Sequence, residues 1–388
     1  MNVIRCSFSL AAIGLLAAAL AIAQDAPTSP TPSPTAVPTP SPTPPAPEPA
    51  PPVPASPAPA PAPAANPTYF NPAIAVIGNF LGIAGHNPVD DQPSLQLRES
   101  ELSLQAVVDP YARADFFLSF SNDGVEVEEG FVTFLHLPWD LLLKAGQFKA
   151  QFGKVNLMHL HVLPWADEPL PIVNLLGSEE GWSDAGVSLA KLIGLPGDTF
   201  SELTAQLFRG DTEGLFDAPS RSKLAFAAQY RAYRDFGDDH NLELGVSYGR
   251  GYNGVTPDTT TQLGNVHLVY RWKPLRGRPY RSLIVRSELF TSRREQEGPT
   301  QKSLGFYAGA DFQLGRRWFA GARYEFSDRP NDDRARDRGE AVTLTFWPSE
   351  FSQIRGEFRQ RIYSPSIKAY EGLLQLQFSI GAHGAHPF

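Results

Sequence analysis

The sequence is poor in cysteine, in long apolar runs and in basic charge. Its 388 residues include one cysteine, Cys6, which lies in a segment that we expect to be removed on export. A mature chain without cysteine has no disulfides and no thiolate metal sites. The formal net charge is -8 at pH 7. Because there is no basic excess to neutralise phosphates, we expect no nucleic-acid partner.

Long apolar runs are confined to the N-terminus. Residues 1–23 are predicted to be a signal peptide, in which Arg5 supplies the charge, residues 8–20 form the apolar core and residues 21–23 form an Ala-Ile-Ala cleavage site. No other stretch approaches the roughly 20 apolar residues that a membrane-spanning helix needs. Insertion of the remaining chain into a membrane would therefore require strands.

The second part of the chain alternates with a period of two residues. Between residues 373 and 381, leucine, phenylalanine and isoleucine alternate with glutamine and serine. We predict sixteen such strands between Ile74 and Ile380, within a domain of residues 69–388. One apolar and one polar face suit a wall between lipid and water. The predicted fold class is all-β: a porin-like transmembrane antiparallel β-barrel of sixteen strands.

The connections between the predicted strands indicate an orientation. Tight turns such as 109–111 and 347–349 alternate with longer polar loops such as Gly251–Thr261 and Asp328–Arg338. In outer-membrane barrels the tight turns are periplasmic, and aromatic rings lie at the headgroup boundary beside them. Six aromatic residues lie at or beside the tight turns: Tyr111, Trp139, Trp272, Tyr280, Trp318 and Trp347. We therefore expect a bacterial outer-membrane protein with both barrel termini in the periplasm.

Three kinds of partner follow from this interpretation. Outer-membrane lipid would cover the apolar faces of the strands, and a homotrimer is a further option. The last strand, with Phe378 and the terminal Phe388, is the expected signal for the barrel-assembly machinery.

A proline tract precedes the barrel. Residues 24–68 form a predicted disordered Pro/Ala-rich linker, and its part from Ala26 to Pro67 contains 19 of the 37 prolines. Such a composition cannot build a core and favours an extended polyproline conformation, on the order of 100 Å long at about 3.1 Å per residue. The linker is either a spacer or a tether that reaches the cell wall.

Short motifs carry a resemblance to known barrels. Residues 144–153 resemble the Gly-Gln-Phe-Lys-x-Pro-Phe-Gly segment of the phosphate-selective porin family, with Gln151 in place of the usual proline. Residues 344–351 and 380–388 are similar to a group often described as zinc-regulated TonB-dependent outer-membrane receptors. The resemblance implies a sixteen-strand pore. We expect no plug domain, because the proline-rich segment alone precedes the first strand.

Charged residues recur on the polar faces of the predicted strands. Arginine on a lipid face costs about 2–4 kcal/mol at mid-bilayer, so these positions indicate a water-filled lumen. The arginines either form a basic wall that attracts anions or are neutralised by glutamates, and we expect a mixture with a weak anion preference. The candidate pore-lining residues are Lys144, Lys149, Arg286, Glu288, Arg323, Glu325, Arg355, Glu357, Arg359 and Arg361.

The longest connection, Ala150–Trp182, is the third outer loop. A long third loop commonly folds into the lumen of a porin, so we predict that this one forms the constriction; an ordinary surface loop is the alternative. Its charged residues are Lys154, Asp167, Glu168, Glu179 and Glu180.

Two histidine pairs are candidate metal ligands. His159 and His161 lie in the long loop, and His383 and His386 lie in the tail. Each pair falls short of the four ligands of a closed zinc site, so zinc binding is a secondary hypothesis.

Three functions remain open on these grounds. The first is a porin-like channel for passive diffusion of small hydrophilic solutes or ions. The second is a barrel for uptake or reception of a metal such as zinc, and the third is a structural protein tethered to the cell wall. We expect no enzyme and no cofactor, because no serine has a histidine and an acid in a recognisable order.

Overall fold

The alternation of apolar and polar residues decides which way each strand faces. In the computed structural model, which describes residues 72–122, 124–197, 199–274 and 280–381, Leu374 and Leu376 are 59% and 47% exposed, whereas Gln375 between them is 1% exposed. Apolar residues outside and polar residues inside are the arrangement of a barrel in lipid. The predicted signal peptide and proline-rich linker lie outside the described residues, as do His383, His386 and Phe388.

The strands close into one antiparallel barrel of sixteen, which confirms the predicted fold class. The barrel strands are β1 (Ala73–His86), β2 (Leu95–Asp109), β3 (Ala112–Ser121), β4 (Gly124–Leu137), β5 (Leu141–Lys149), β6 (Ser183–Leu195), β7 (Thr199–Phe208), β10 (Ala225–Phe236), β11 (His240–Tyr252), β12 (Thr260–Trp272), β13 (Leu283–Arg294), β14 (Gln301–Gln313), β15 (Trp318–Arg329), β16 (Asp332–Ser349), β17 (Ser352–Tyr363) and β18 (Ile367–Gly381). The two-residue strands β8 (Asp211–Thr212) and β9 (Phe216–Asp217) form a separate small hairpin.

The barrel closes between its first and last strands. β1 pairs with β18 along its length, from Ala75 opposite Gly381 to His86 opposite Tyr370, so neither strand leaves an open edge. Phe378 lies on the outer face at this seam and stacks on Phe80 with 6.2 Å between ring centroids.

Most of the tight turns and the two ends of the barrel lie at one end, and the longest connections, including residues 150–182, lie at the other. The other end also has short turns between β3 and β4, between β15 and β16 and between β17 and β18. The prediction of a long loop over Asp328–Arg338 is wrong, because β15 and β16 continue through it to a tight turn. Cross-strand ion pairs hold this extension together: Arg336 Nε lies 2.6 Å from Asp328 Oδ1, and Arg329 Nε lies 3.0 Å from Asp337 Oδ2. Among the described residues, no helix is long and apolar enough to cross a membrane.

The outward face provides a test of the orientation of the strands. Val246 lies in the middle of β11, is 52% exposed and is paired with Val266 of β12. Val246→Arg should lower the free energy of unfolding in lipid vesicles by about 2–4 kcal/mol, because a guanidinium would face hydrocarbon. Leu314→Arg, beside a tight turn, should cost about 0–1 kcal/mol. Equal costs at the two sites, measured by urea titration, would contradict the orientation.

Candidate functional site

Residues 150–182 connect β5 to β6 and run through the inside of the barrel. This loop contains two short 3-10 helices (Val155–Leu157 and Leu160–Val162) and the helix α1 (Leu170–Leu175). Its large side chains Phe152 and Trp182 are fully buried. Each of the sixteen barrel strands also contributes at least one buried inward side chain. The loop therefore packs against the inward side of the barrel wall.

Glutamates of the wall hold the backbone of the loop. Three of them accept hydrogen bonds from its N–H groups: Glu288 from Lys154 and Val155 (3.0 and 2.8 Å), Glu357 from Ala166 (2.8 Å) and Glu325 from Leu170 (3.1 Å). A hydrogen bond to a charged acceptor contributes about 1.5–3 kcal/mol, and an unmade one in a buried site is costly. These three candidate pore-lining residues thus anchor the loop.

Three of the candidate arginines converge on one carboxylate of the loop, that of Asp167. Its Oδ1 lies 2.6 Å from Arg323, and its Oδ2 lies 2.7 Å from Arg359 and 2.5 Å from Arg361. Burial acts to raise the pKa of the Asp167 carboxyl, but the three guanidinium groups outweigh burial and hold that pKa well below its usual range. Asp167 is therefore an anion at any pH near neutrality.

Two of these arginines also form ion pairs with glutamates of the wall, which neutralise part of their charge. Arg361 also pairs with Glu325 (3.1 Å), and Arg359 pairs with Glu371 (2.9 Å). Arg355 differs, because its hydrogen bonds go to uncharged acceptors: Trp165 O and Gln375 Oε1, both at 2.8 Å, and Thr345 Oγ1 at 3.2 Å. Arg355 thus has the least compensated charge of the four.

The remaining charged candidates are also paired or packed. Their contacts are Lys154 with Glu243 (3.0 Å), Lys149 with Glu180 (3.3 Å) and Glu128 (3.6 Å), Arg286 with Asp311 (2.7 Å), Glu179 with Arg98 (3.2 Å), and the Lys144 ammonium 3.9 Å from the centroid of the Phe131 ring. The loop charges thus contact β2, β5 and β11 as well as the arginine-bearing strands.

Aromatic side chains of the loop fit against glycines of the wall. A Cβ added at Gly249 would lie 2.6 Å from the Trp182 ring, and one added at Gly309 would lie 2.7 Å from the Trp165 ring. Trp165 also packs edge-on against Tyr307 at 5.4 Å between centroids. The absence of side chains at these two positions makes room for the indoles, so the loop is seated by shape as well as by charge.

His159 and His161 of the loop lie among carboxylates of β2 and β4. We call this buried group the His–Glu cluster; it consists of Glu99, Glu101, Glu128, Glu129, His159 and His161. Nδ1 of His159 lies 2.8 Å from Glu101 and 3.0 Å from Glu128, and Nε2 lies 3.1 Å from Glu129. Nδ1 of His161 lies 3.5 Å from Glu101. The loop pair of histidines is thus brought together with acids, whereas His383 and His386 lie outside the described residues.

The four glutamates of the His–Glu cluster were not among the candidates from sequence. Glu99 and Glu101 alternate along β2, a signal that was available. Glu128 and Glu129 are neighbours and both point inward, because the pairing of β3 with β4 shifts beside Phe117 and leaves Glu128 unpaired. A β-bulge of this kind breaks the period of two, so alternation alone could not place both side chains inside.

The comparisons with known proteins concern the barrel. No family model matches the chain. An uncharacterised protein of Aquifex aeolicus is 28% identical over 344 residues, covering 78% of this chain and 72% of that protein.

Solved porin-like structures share the fold at low sequence identity. The anion-selective porin of Comamonas acidovorans has a TM-score of 0.56 at 12% identity, covering 80% of this chain and 99% of that one. The channel DcaP of Acinetobacter baumannii has a TM-score of 0.54 at 11% identity, covering 80% and 96%. OmpT of Vibrio cholerae in its trimer form has a TM-score of 0.51 at 9% identity, covering 80% and 100%. These structures support the porin-like part of the resemblance and give no support to the zinc-regulated receptor label.

The Asp167 contacts predict how firmly the loop is held. Asp167→Asn should release the loop, because removing one partner of a buried charge group costs about 3–5 kcal/mol. Hydrogen exchange at the backbone amides of residues 163–170 should accelerate accordingly. The matched control is Glu179→Gln in the same loop, whose side chain is 44% exposed and whose loss should cost at most about 1 kcal/mol. Unchanged exchange in Asp167→Asn would show that the arginines do not hold the loop.

The environment of Glu168 predicts that docking of the loop depends on pH. Burial raises the pKa of the Glu168 carboxyl well above its usual range; Lys149 opposes this shift, and Glu179 adds to it. The docked loop therefore keeps a proton that a released loop loses near pH 4.5, so docking weakens as the pH rises from about 4.5 towards the raised pKa.

Glu168→Gln removes this proton linkage. Hydrogen exchange at the amides of residues 163–170, corrected for the intrinsic effect of pH on exchange, should accelerate in the wild type between about pH 5 and pH 8 and should change less in the variant. An equally steep acceleration in Glu168→Gln would exclude Glu168 as its source.

Proposed function

We propose that this chain is an outer-membrane channel through which small hydrophilic solutes or ions diffuse passively. The observation that carries the proposal is the closed sixteen-strand barrel with an apolar exterior and a polar interior that contains a folded-in loop. Barrels of this size enclose a lumen wide enough for water when it is not filled by protein. The names of the anion-selective porin and of the channel DcaP support the same class of function.

In this proposal residues 150–182 control the width of the channel. The loop contacts the wall through charges, backbone hydrogen bonds and aromatic packing, and the wall residues in contact with it are buried. Solutes would pass where the loop moves away from the wall. The loop is thus a constriction, and the contacts of Asp167 and Glu288 determine how firmly it is held in the lumen.

Ion selectivity should be weak, because most of the arginine charge is paired. Asp167, Glu325 and Glu371 neutralise Arg323, Arg359 and Arg361 in the docked state. Arg355 is the strongest candidate for a residual anion preference, since its hydrogen-bond acceptors are uncharged.

The proposed setting in the membrane extends the sequence argument. Most of the tight turns and both barrel ends lie on the side opposite the longest connections, which supports a periplasmic location for the termini. The trimer form named for the Vibrio cholerae protein supports a homotrimer here. The barrel-assembly machinery as reader of the last strand, and the proline-rich segment as a spacer or a cell-wall tether, remain proposals from sequence.

Removal of the loop tests the proposal. Ala150 N donates a hydrogen bond to Trp182 O at 2.8 Å, so a short Gly-Ser linker can replace residues 152–181 without separating β5 from β6. Single-channel conductance of the shortened protein in planar bilayers should rise several-fold over that of the full protein. The control replaces the exposed turn 255–258 by a linker of equal length and should leave conductance unchanged. A loop-free barrel that forms no ohmic channel would refute the proposal.

A further inference from the structure

The His–Glu cluster contains more acid than base. The ammonium of Lys149 lies 3.6 Å from Glu128 Oε1, and the charge of Lys144 also acts on Glu129. Burying ionised carboxylates is costly unless they are paired or bind a metal ion. The two imidazoles of the loop add nitrogen ligands to this acidic site.

Glu99 supplies an independent observation. Its side chain is 2% exposed, and among the described residues neither of its carboxylate oxygens accepts a hydrogen bond. Its nearest ion-pair contact, with His161 Nδ1, is 3.9 Å long, which exceeds hydrogen-bond distance. A buried carboxylate of this kind keeps its lone pairs available to a cation.

The spacing of the ligand atoms suits a metal ion. Two groups of three residues each offer ligand atoms that lie within 4.8 Å of one another: Glu101, Glu128 and His159, and Glu99, Glu101 and His161. Neighbouring ligands at 2.0–2.2 Å from one ion lie about 3–3.6 Å apart. The contacts of Glu101 Oε2 with His159 and His161, at 2.8 and 3.5 Å, lie close to that range.

We propose that the His–Glu cluster binds one divalent first-row transition-metal ion inside the barrel. Glu99, Glu101 and His161 supply the ligand atoms, and Glu101 also contacts His159 of the neighbouring group. Imidazole with carboxylate suits ions such as Zn²⁺, whereas Mg²⁺ and Ca²⁺ prefer oxygen ligands alone. Because the histidines belong to the loop and the glutamates to β2 and β4, the ion would fasten the loop to the wall.

Zinc binding to the purified, untagged protein in detergent tests this inference. After treatment with a chelator, equilibrium dialysis near pH 7 should show one Zn²⁺ per chain and no comparable binding of Mg²⁺. Affinity should fall at least about 10-fold in His161→Gln, and it should also fall in Glu99→Gln, which keeps the volume of the side chain. Bound Zn²⁺ should slow hydrogen exchange at the amides of residues 158–162.

Control variants separate this site from other histidines. His136→Gln, at an exposed position on β4, and the double variant His383→Gln with His386→Gln should retain the bound ion. Binding that is lost in the tail variant, or that is unchanged in both His161→Gln and Glu99→Gln, would overturn the proposal, as would a wild-type protein that binds no zinc. If His161→Gln fails to fold, Glu99→Gln decides. Since binding is measured without conduction, its failure is distinguishable from failure of the channel proposal.

Discussion

The contact of Asp167 with three guanidinium groups is the interaction on which the rest of the lumen depends. A loop inside a barrel must satisfy its polar groups with partners from the wall, because little water reaches them. The arginines of β15 and β17 neutralise the carboxylate of Asp167. Glutamates of β13, β15 and β17 accept hydrogen bonds from the backbone N–H groups of the loop. The charged groups of the wall and of the loop therefore form one network. Burying the charges of either part without those of the other would cost free energy.

Packing gives this network a fixed position. Trp165 and Trp182 lie against Gly309 and Gly249 of the wall, and Arg323 lies over the Trp165 ring at 4.8 Å from its centroid. Burying two indoles contributes several kcal/mol by area alone. The apolar contacts explain why the loop has a defined place in the lumen, and the charged contacts explain why a change in one carboxylate can loosen it.

The sequence was sufficient to predict the architecture, because a strand between lipid and the lumen must alternate apolar and polar residues with a period of two. The strand count and the inward direction of Arg323 and Arg355 follow from that pattern. It failed at Asp328–Arg338, where a charged composition suggested a loop but cross-strand ion pairs extend two strands. The partners of the arginines were not predictable either, since Asp167 is remote in sequence from all of them. The inward glycines indicate where the loop packs, and the bulge at Glu128 places a glutamate in the His–Glu cluster. Neither feature can be predicted from the alternation of apolar and polar residues alone.

The presence of the loop in the lumen is the central claim, and thiol accessibility tests it directly. The one native cysteine, Cys6, is absent from a protein expressed without residues 1–23, so single cysteines can be introduced. Leu163 of the loop is 1% exposed and Val255 of an outer connection is 38% exposed. In lipid vesicles, Val255→Cys should react quickly with a membrane-impermeant maleimide, and Leu163→Cys should react many-fold more slowly until urea unfolds the barrel. Equal rates at the two positions in the folded protein would show that the loop lies outside and would contradict the account.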